Sequence, residues 1–582
     1  MRLPRAIRLR NGGGRGCLLA VLALASVGGA CEGPPREELA PTAAVAVAPT
    51  APWLVEVTDL YGLDFVHETG GVGELQLPEI MGSGAALFDV EGDGDLDVYL
   101  LNGARDLGRS TAPGGPRNRL YLQQDGRLVD ISEGSGLDDP GYGMGVAVGD
   151  VDNDGLDDVY VSNYGADRIF RNLGGGRFRD MTAAAGVRVD GWSASVIFLD
   201  FDRDGLLDLY VTRYVAYDPR VKCYDTAGRH EYCGPSAFPG LSDVLLRNEG
   251  DFAFRDVSAR AGMAAVTDAG LGVVSEDFND DGWPDVYVAN DADPNQLWIN
   301  LGDGTFRDEG LIMGASVNAL GVTEAGMGVV AADFDGDTLP DLFMTHLANE
   351  SSTLYRNLAP DLGFEDVTAA SGLAAGTAPF TGFGIASFDA ELDGDLDLAV
   401  VNGRVLRGPR LESELAPPWD DYAEPNLLYR NVGGGRFEAA NHEAGGFHLR
   451  TEISRGLAMG DLDGDGDGDL LVSNGQGRAR IYRNDIPRRG GALRVEAWDP
   501  GLGRLAEGAV LIAEIGPRRL RRIQGRGHSY LSSSEPAVIF GLGEVASADR
   551  LVVRWPDGRR EEFPGAAAGA TVRLIRGEGR GL

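Results

Sequence analysis

The sequence predicts an all-β chain: a seven-bladed β-propeller with calcium loops in its blades, followed by a small β-rich C-terminal domain. Three observations carry this reading. A nine-residue stretch, D-x-[DEN]-x-D-[GT]-x-x-D, recurs seven times, starting at Asp89, Asp150, Asp200, Asp277, Asp333, Asp389 and Asp461. Each copy sits in a frame of about four short strands separated by Gly, Asn and Asp turns, the pattern of blades around an axis. The seventh copy lacks a closing strand, and a strand of that type, 54–58, stands ahead of the first copy. Pairing the two ends would remove two free sheet edges together.

The elements follow in chain order. Residues 1–30 read as a secretory signal, with Arg2, Arg5, Arg8, Arg10 and Arg15 ahead of an apolar run, 18–27, and small residues up to Cys31. That run is too short to span a bilayer as a mature helix. The segment resembles a bacterial lipoprotein signal, in which the Cys becomes the lipidated first residue, although Gly28 stands where Leu is usual; plain cleavage near Ala30, giving a secreted protein, is the alternative. Residues 31–52, rich in Pro, Ala and Glu, read as a flexible tether. No later run is apolar enough to cross a membrane, so membrane contact is expected only through a lipid anchor at Cys31. The propeller is assigned to 53–485 and the C-terminal β domain to 486–582.

Within each repeat a small residue precedes the first Asp by five positions: Gly84, Gly145, Ser195, Gly272, Gly328, Gly384 and Gly456. A short apolar strand follows each Asp stretch, as at 158–163 and 285–290. Then comes a segment ending in Arg-Asn, as at 168–172, 354–357 and 428–431, and an F-x-D-V-T-like strand, as at 178–182, 254–258 and 364–368.

The Asp stretches carry the chemistry. Calcium takes six to eight oxygens from carboxylates, a backbone carbonyl and water. Side chains at positions 1, 3 and 5 of a tight loop converge on one ion when position 6 lets the chain turn, and position 9 returns another carboxylate. Position 1 is Asp throughout; position 3 is Glu91, Asp152, Asp202, Asn279, Asp335, Glu391 or Asp463; position 5 is Asp93, Asp154, Asp204, Asp281, Asp337, Asp393 or Asp465. Position 7 offers a carbonyl, from Asp95, Leu156, Leu206, Trp283, Leu339, Asp395 or Asp467. Position 9 is Asp97, Asp158, Asp208, Asp285, Asp341, Asp397 or Asp469, and position 6 is Gly except at Thr338. The first half of the loop is similar to that of an EF-hand, but position 12 is apolar (Leu100, Val161) and a strand follows, which excludes that motif. Up to seven structural Ca2+ ions are expected, because 32 carboxylates crowded into these loops would repel one another without metal.

Net charge is −37, yet from residue 486 onward 16 Arg stand against 11 acidic residues, a net of +5 that leaves −42 for the rest. A chain this acidic is not built for nucleic acid. The basic cluster Arg518, Arg519, Arg521 and Arg522 is expected to dock on the acidic propeller or bind an anionic glycan, a solvated strand face being the plain alternative. Cys223 and Cys233 flank a polar nine-residue segment and are expected to form a disulfide, in keeping with export.

The repeats resemble FG-GAP/VCBS-type repeats. The opening 62–67 with 77–84 is similar to the start of the cartilage acidic protein family, and 525–532, 540–543 and 553–558 are similar to the ASPIC/UnbV domain. The resemblance implies an extracellular, calcium-binding protein with a role in adhesion or recognition, its partner an extracellular protein or glycan; it names no ligand. Some UnbV-type members sit in natural-product pathways, so a calcium-dependent carbohydrate-active or biosynthetic enzyme using the axial pocket is the alternative. Among the six His, none has metal-ligand spacing and there is no G-x-S-x-G elbow. His346 and Arg213 replace an Asn found at that slot in five repeats, a departure that marks either a ligand-facing site or drift. His67 and His528 enter only through the family resemblance.

If Cys31 is lipidated, a palmitate analogue labels the wild-type protein, and Cys31→Ser abolishes the label. Label retained in the variant refutes the anchor.

Overall fold

Runs of alternating β-branched and aromatic residues broken by Gly and Asx turns form seven four-stranded antiparallel sheets in the computed structural model, which describes residues 51–582 except 72, 109–114, 359–361 and 489. The signal, Cys31 and the tether up to residue 50 lie outside the described residues. The inner strands are Ala85–Phe88, Gly143–Gly149, Ser193–Leu199, Gly270–Glu276, Val329–Ala332, Gly382–Phe388 and Ser454–Gly460. Each pairs outward with the strand that opens at the ninth loop residue, Asp97–Leu100 or Asp158–Asn163 for example. The seventh sheet is completed by Leu54–Glu56, which pairs antiparallel with Arg480–Asn484 in the register Leu54↔Asn484. The ends of the ring thus meet as the sequence predicts.

The small residue five positions before each Asp is where neighbouring inner strands touch. A Cβ added to Gly145, Gly272, Gly328, Gly384 or Gly456 would lie 2.1–2.7 Å from the carbonyl oxygen of Ala194, Met327, Phe383, Arg455 or Ser83. Each of those carbonyls precedes the equivalent residue of the next sheet, and Gly84 faces Met144 O in the same way. The contacts run from sheet to sheet and return to the first. Hydroxyls reinforce them: Thr212 Oγ1 donates to Leu271 O and Thr345 Oγ1 to Phe383 O.

The F-x-D-V-T segments differ from expectation. Their strands stop at the Asp (Phe178–Asp180, Phe254–Asp256, Phe364–Asp366), whose carboxylate accepts the N–H two residues on, from Thr182, Ser258 or Thr368. This Asx turn diverts the chain into one helical turn before the next inner strand.

Two further sheets follow, built around Ala492–Asp499 and around Ala509–Ile515 with Arg518–Gln524 and Arg550–Arg554. They enclose a core of Leu493, Val495, Leu511, Phe540, Val553 and Trp555. This C-terminal unit docks through arginines, in agreement with the first of the expected roles. Arg521 pairs with Glu276, Arg518 with Asp395, Arg526 with Asp157, Arg554 with Asp277, and Arg522 donates to Gly394 O. Arg519 stays exposed.

Residues 529–535 of this unit run into the axis of the ring. Val329 and Ser529 exchange backbone hydrogen bonds, Ile385 N donates to Ser529 Oγ, and Val146 N to Leu531 O. Ser533 N donates to Ala85 O and its carbonyl accepts from Leu87 N, while Met459 N donates to Ser534 Oγ and Glu535 N to Met459 O. Ser195, which replaces Gly in the ring, accepts the N–H of Leu531 at 3.0 Å. Inner-edge N–H groups of five sheets therefore find their acceptors in one segment. At the far mouth Tyr530 packs edge-on to Phe383 at 5.0 Å, donates to Met81 O, and joins a core with Tyr142, Trp192, Tyr214 and Tyr422. The insertion holding the Cys223–Cys233 disulfide covers this mouth with Tyr232 and Phe238.

Tyr530→Ala deletes a fully buried ring in this plug, and denaturant unfolding is expected to show a loss of about 3–5 kcal/mol. A loss below about 1 kcal/mol, the scale of an ordinary surface change, would show that the plug does not support the ring.

Candidate metal centres

Each Asp loop joins an inner strand to its neighbour. The position-1 carboxylate caps the loop's own amides: Asp150 accepts N–H from Asp154 and Gly155, Asp200 from Asp204 and Gly205, Asp389 from Asp393 and Gly394. Position 6 is left-handed in all seven loops, and at Thr338 a β-branched residue adopts φ 75°.

The ninth residue is buried in every loop. One oxygen accepts the N–H of position 2 and the other reaches the third strand of its sheet. For Asp158 the donors are Val151 and Asn172, for Asp208 Phe201 and Asn248, for Asp469 Leu462 and Asn484. The Asn that donates to Asp then reaches back to the preceding sheet. Asn172 Nδ2 donates to Val90 O, Asn248 to Val151 O, Asn300 to Phe201 O, Asn357 to Phe278 O, Asn431 to Phe334 O and Asn484 to Ala390 O. The first sheet has Gln123, whose Nε2 donates to Leu462 O of the seventh. The sequence shows this Asn only as the end of a strand; its role needs the neighbouring blade.

Carboxylates converge at positions 1, 3 and 9 in three loops (Asp150, Asp152, Asp158; Asp200, Asp202, Asp208; Asp333, Asp335, Asp341) and at positions 1, 3 and 5 in the seventh (Asp461, Asp463, Asp465). One oxygen from each lies within 4.8 Å of the others. Asp152 Oδ1, Asp202 Oδ1, Asp461 Oδ1 and, in the first loop, Glu91 Oε2 are buried and accept no hydrogen bond. Such oxygens are costly unless a cation or proton meets them, so the donor set fits a hard divalent ion. Arg171 and Arg247 hold Oδ2 of Asp152 and Asp202 at 2.6 Å, turning Oδ1 away from themselves. Position 5 behaves differently: Asp154, Asp204, Asp281 and Asp337 accept the N–H of position 7. At position 7, Asp395 and Asp467 pair with Arg518 and Arg488.

The histidines carry no such geometry. His346 Nδ1 donates to Ser351 O at 2.8 Å, the bond that Asn163 makes to Ala166 O and Asn290 to Pro294 O in the same slot. That replacement is structural. Burial lowers His67 to about 3 and His528 to about 4, so both are neutral.

Residues 89–161, 150–211 and 277–344 match the FG-GAP-like repeat, and 501–581 match the ASPIC and UnbV domain. Cartilage acidic protein 1 of Xenopus tropicalis is 27% identical over 509 residues, covering 83% of this chain and 71% of that protein. The Mus musculus and Homo sapiens proteins are 28% and 27% identical over 523 residues, covering 83% of this chain and 71% and 70% of theirs. Among solved structures, an Agrocybe aegerita lectin recognising non-reducing terminal N-acetylglucosamine shares 15% identity over 63% of this chain and 84% of its own, at a TM-score of 0.36, too low to bear on function.

Burial, with neighbouring carboxylates adding to it, raises Asp158, Asp285 and Asp469 to about 8 and Asp150, Asp200 and Asp461 to about 6. Unfolded Asp titrates near about 4. Between those values the metal-free native state holds protons that the unfolded chain has released, so its stability falls as pH rises. Metal-stripped protein is expected to show a higher urea midpoint at pH 5.5 than at pH 7.5; the reverse order would show that these carboxylates are not desolvated. Parts of the chain thus match the FG-GAP-like repeat and the ASPIC and UnbV domain, and over 83% of its length the chain is similar to cartilage acidic protein 1.

Proposed function

We propose that this protein is an exported, calcium-loaded propeller that serves as a surface recognition or adhesion scaffold for a protein or glycan. The observation that carries calcium is the set of buried, unpartnered oxygens on Asp152, Asp202 and Asp461 within convergent carboxylate clusters. Asp loops, carbonyl oxygens and water are the ligand types calcium takes, and soft metals are disfavoured by a site without Cys or His. Export is supported by the disulfide and the signal-like 1–30.

The enzyme alternative places its chemistry in the axial pocket, and residues 529–535 fill that space. Recognition keeps the outer surfaces. A cleft of about 560 Å3 opens where the first, second and seventh loops face the C-terminal unit, with Arg494, Arg573, Trp498, Asp93 and Thr571 among its walls. Acidic, basic and aromatic groups side by side suit a polyhydroxylated ligand. No described helix is long and apolar enough to cross a membrane.

Calcium bound only to the native state adds about 2.7 kcal/mol per site at a hundredfold excess over Kd. Melting temperature is expected to climb steeply across a calcium series from EGTA, with several ions counted by native mass spectrometry. Asp465→Ala is expected to lower the ion count, whereas Thr338→Gly relieves the left-handed strain and gains about 1 kcal/mol. A melting temperature indifferent to calcium would refute the reading. A screen of immobilised protein against glycans and extracellular proteins, with and without calcium, tests recognition; capture unaffected by calcium removal would detach the ligand site from the loops.

A further inference from the structure

The seven loops are not equivalent toward a cation, and the fourth, Asp277–Asp285 in sequence, departs furthest. Its position 3 is Asn279, whose Nδ2 donates to Asp281 Oδ2 at 2.9 Å, so the side chains of positions 3 and 5 are tied to each other. Position 1, Asp277, is paired with the guanidinium of Arg554, which comes from the C-terminal strand Arg550–Arg554 and also lies 3.3 Å from Asp280 Oδ1. A second guanidinium, Arg203 of the third loop, stacks on Trp283 at position 7, 4.0 Å from the ring centroid. Its Nη2 lies only 3.0 Å from where a Cβ on Gly282 would stand. One carboxylate is therefore missing and two fixed positive charges flank the loop.

The neighbouring loops show the contrast. In the second and third, Arg171 and Arg247 hold the outer oxygens of Asp152 and Asp202 and leave the inner ones buried without a partner. The equivalent third-strand residue in the fourth sheet is Ile299, so no arginine holds position 3 from that side; the arginine comes instead to position 1. In the fifth loop Asp333, Asp335 and Asp341 converge within 4.8 Å.

We infer that the fourth loop is closed by Arg554 in place of a metal ion, so that the ring loads at most six ions and the C-terminal unit is held there without metal. Like charges a few ångströms apart repel strongly in a half-buried site, and the fourth loop already contains its counter-charge. This inference rests on the calcium reading of the other loops, and the test separates the two.

Ions per chain are counted by native mass spectrometry on the calcium-saturated full protein, wild type against Asp333→Asn and Asp277→Asn. Asp333→Asn is expected to lose one ion and Asp277→Asn none. An ion lost from Asp277→Asn overturns the assignment. If neither variant loses an ion because the wild type holds none, the calcium reading fails and takes this inference with it. Asp281→Asn, which alters a different carboxylate of the same loop, covers the case in which Asp277→Asn does not fold: its ion count is expected to equal that of the wild type, and an ion lost overturns the assignment.

Discussion

Every blade is held to its own loop and to the blade before it through one buried carboxylate and one amide. The ninth loop residue, Asp158 in the second sheet, spends both oxygens on backbone N–H groups, and the Asn that supplies one of them turns its side chain to the preceding loop. A carboxylate this desolvated is tolerable only because its partners are fixed amides, and the amides are fixed because the carboxylate orders them. Loop shape, strand register and blade spacing therefore cannot be varied separately. The carboxylate clusters inherit that rigidity: in three of them the ninth Asp is both the clamp and one of the convergent carboxylates. A cation there would stabilise a carboxylate that already anchors two blades, which is why loading is expected to act on the whole ring.

The second constraint comes from the axis. Seven inner strands leave N–H groups facing a common centre, and the glycines that let neighbouring strands meet leave no side chains to fill it. Residues 529–535 supply both atoms and acceptors, with Ser529 and Leu531 in left-handed conformations that let consecutive residues reach different sheets. The charge asymmetry of the chain has the same origin. The arginine-rich C-terminal unit sits over loops whose carboxylates outnumber their partners, so the excess of base beyond residue 486 is part of how the ring is assembled.

Much of this was legible in the sequence because it is local. Seven Asp stretches, the closing strand at 54–56 and the 223–233 disulfide follow from spacing alone, and Gly at position 6 follows from the turn it makes. The plug was not legible: it pairs residues remote in sequence, such as Ser195 and Leu531, 336 positions apart. Nor was the left-handed position 4, where Asn153, Arg203, Asp280 and Leu392 share one backbone conformation and no common side chain. The segments ending in Arg-Asn were visible as strands, but an Asn whose bond lies in another blade looks like any strand end.

Departures from the repeat are the last lesson of the physics. Gln123 stands where six sheets have Asn and still donates to the preceding blade; His346 stands where others have Asn and still closes the turn; Ser195 replaces Gly and turns its hydroxyl to the plug. In each case the bond is kept while the side chain changes, so an odd residue at a repeated position is weak evidence for a ligand site. The fourth loop is a departure of another kind. There position 3 lacks its carboxylate and an arginine from a distant strand pairs with position 1. A substitution that preserves a hydrogen bond leaves function where it was; one that replaces the counter-charge changes what the site can hold.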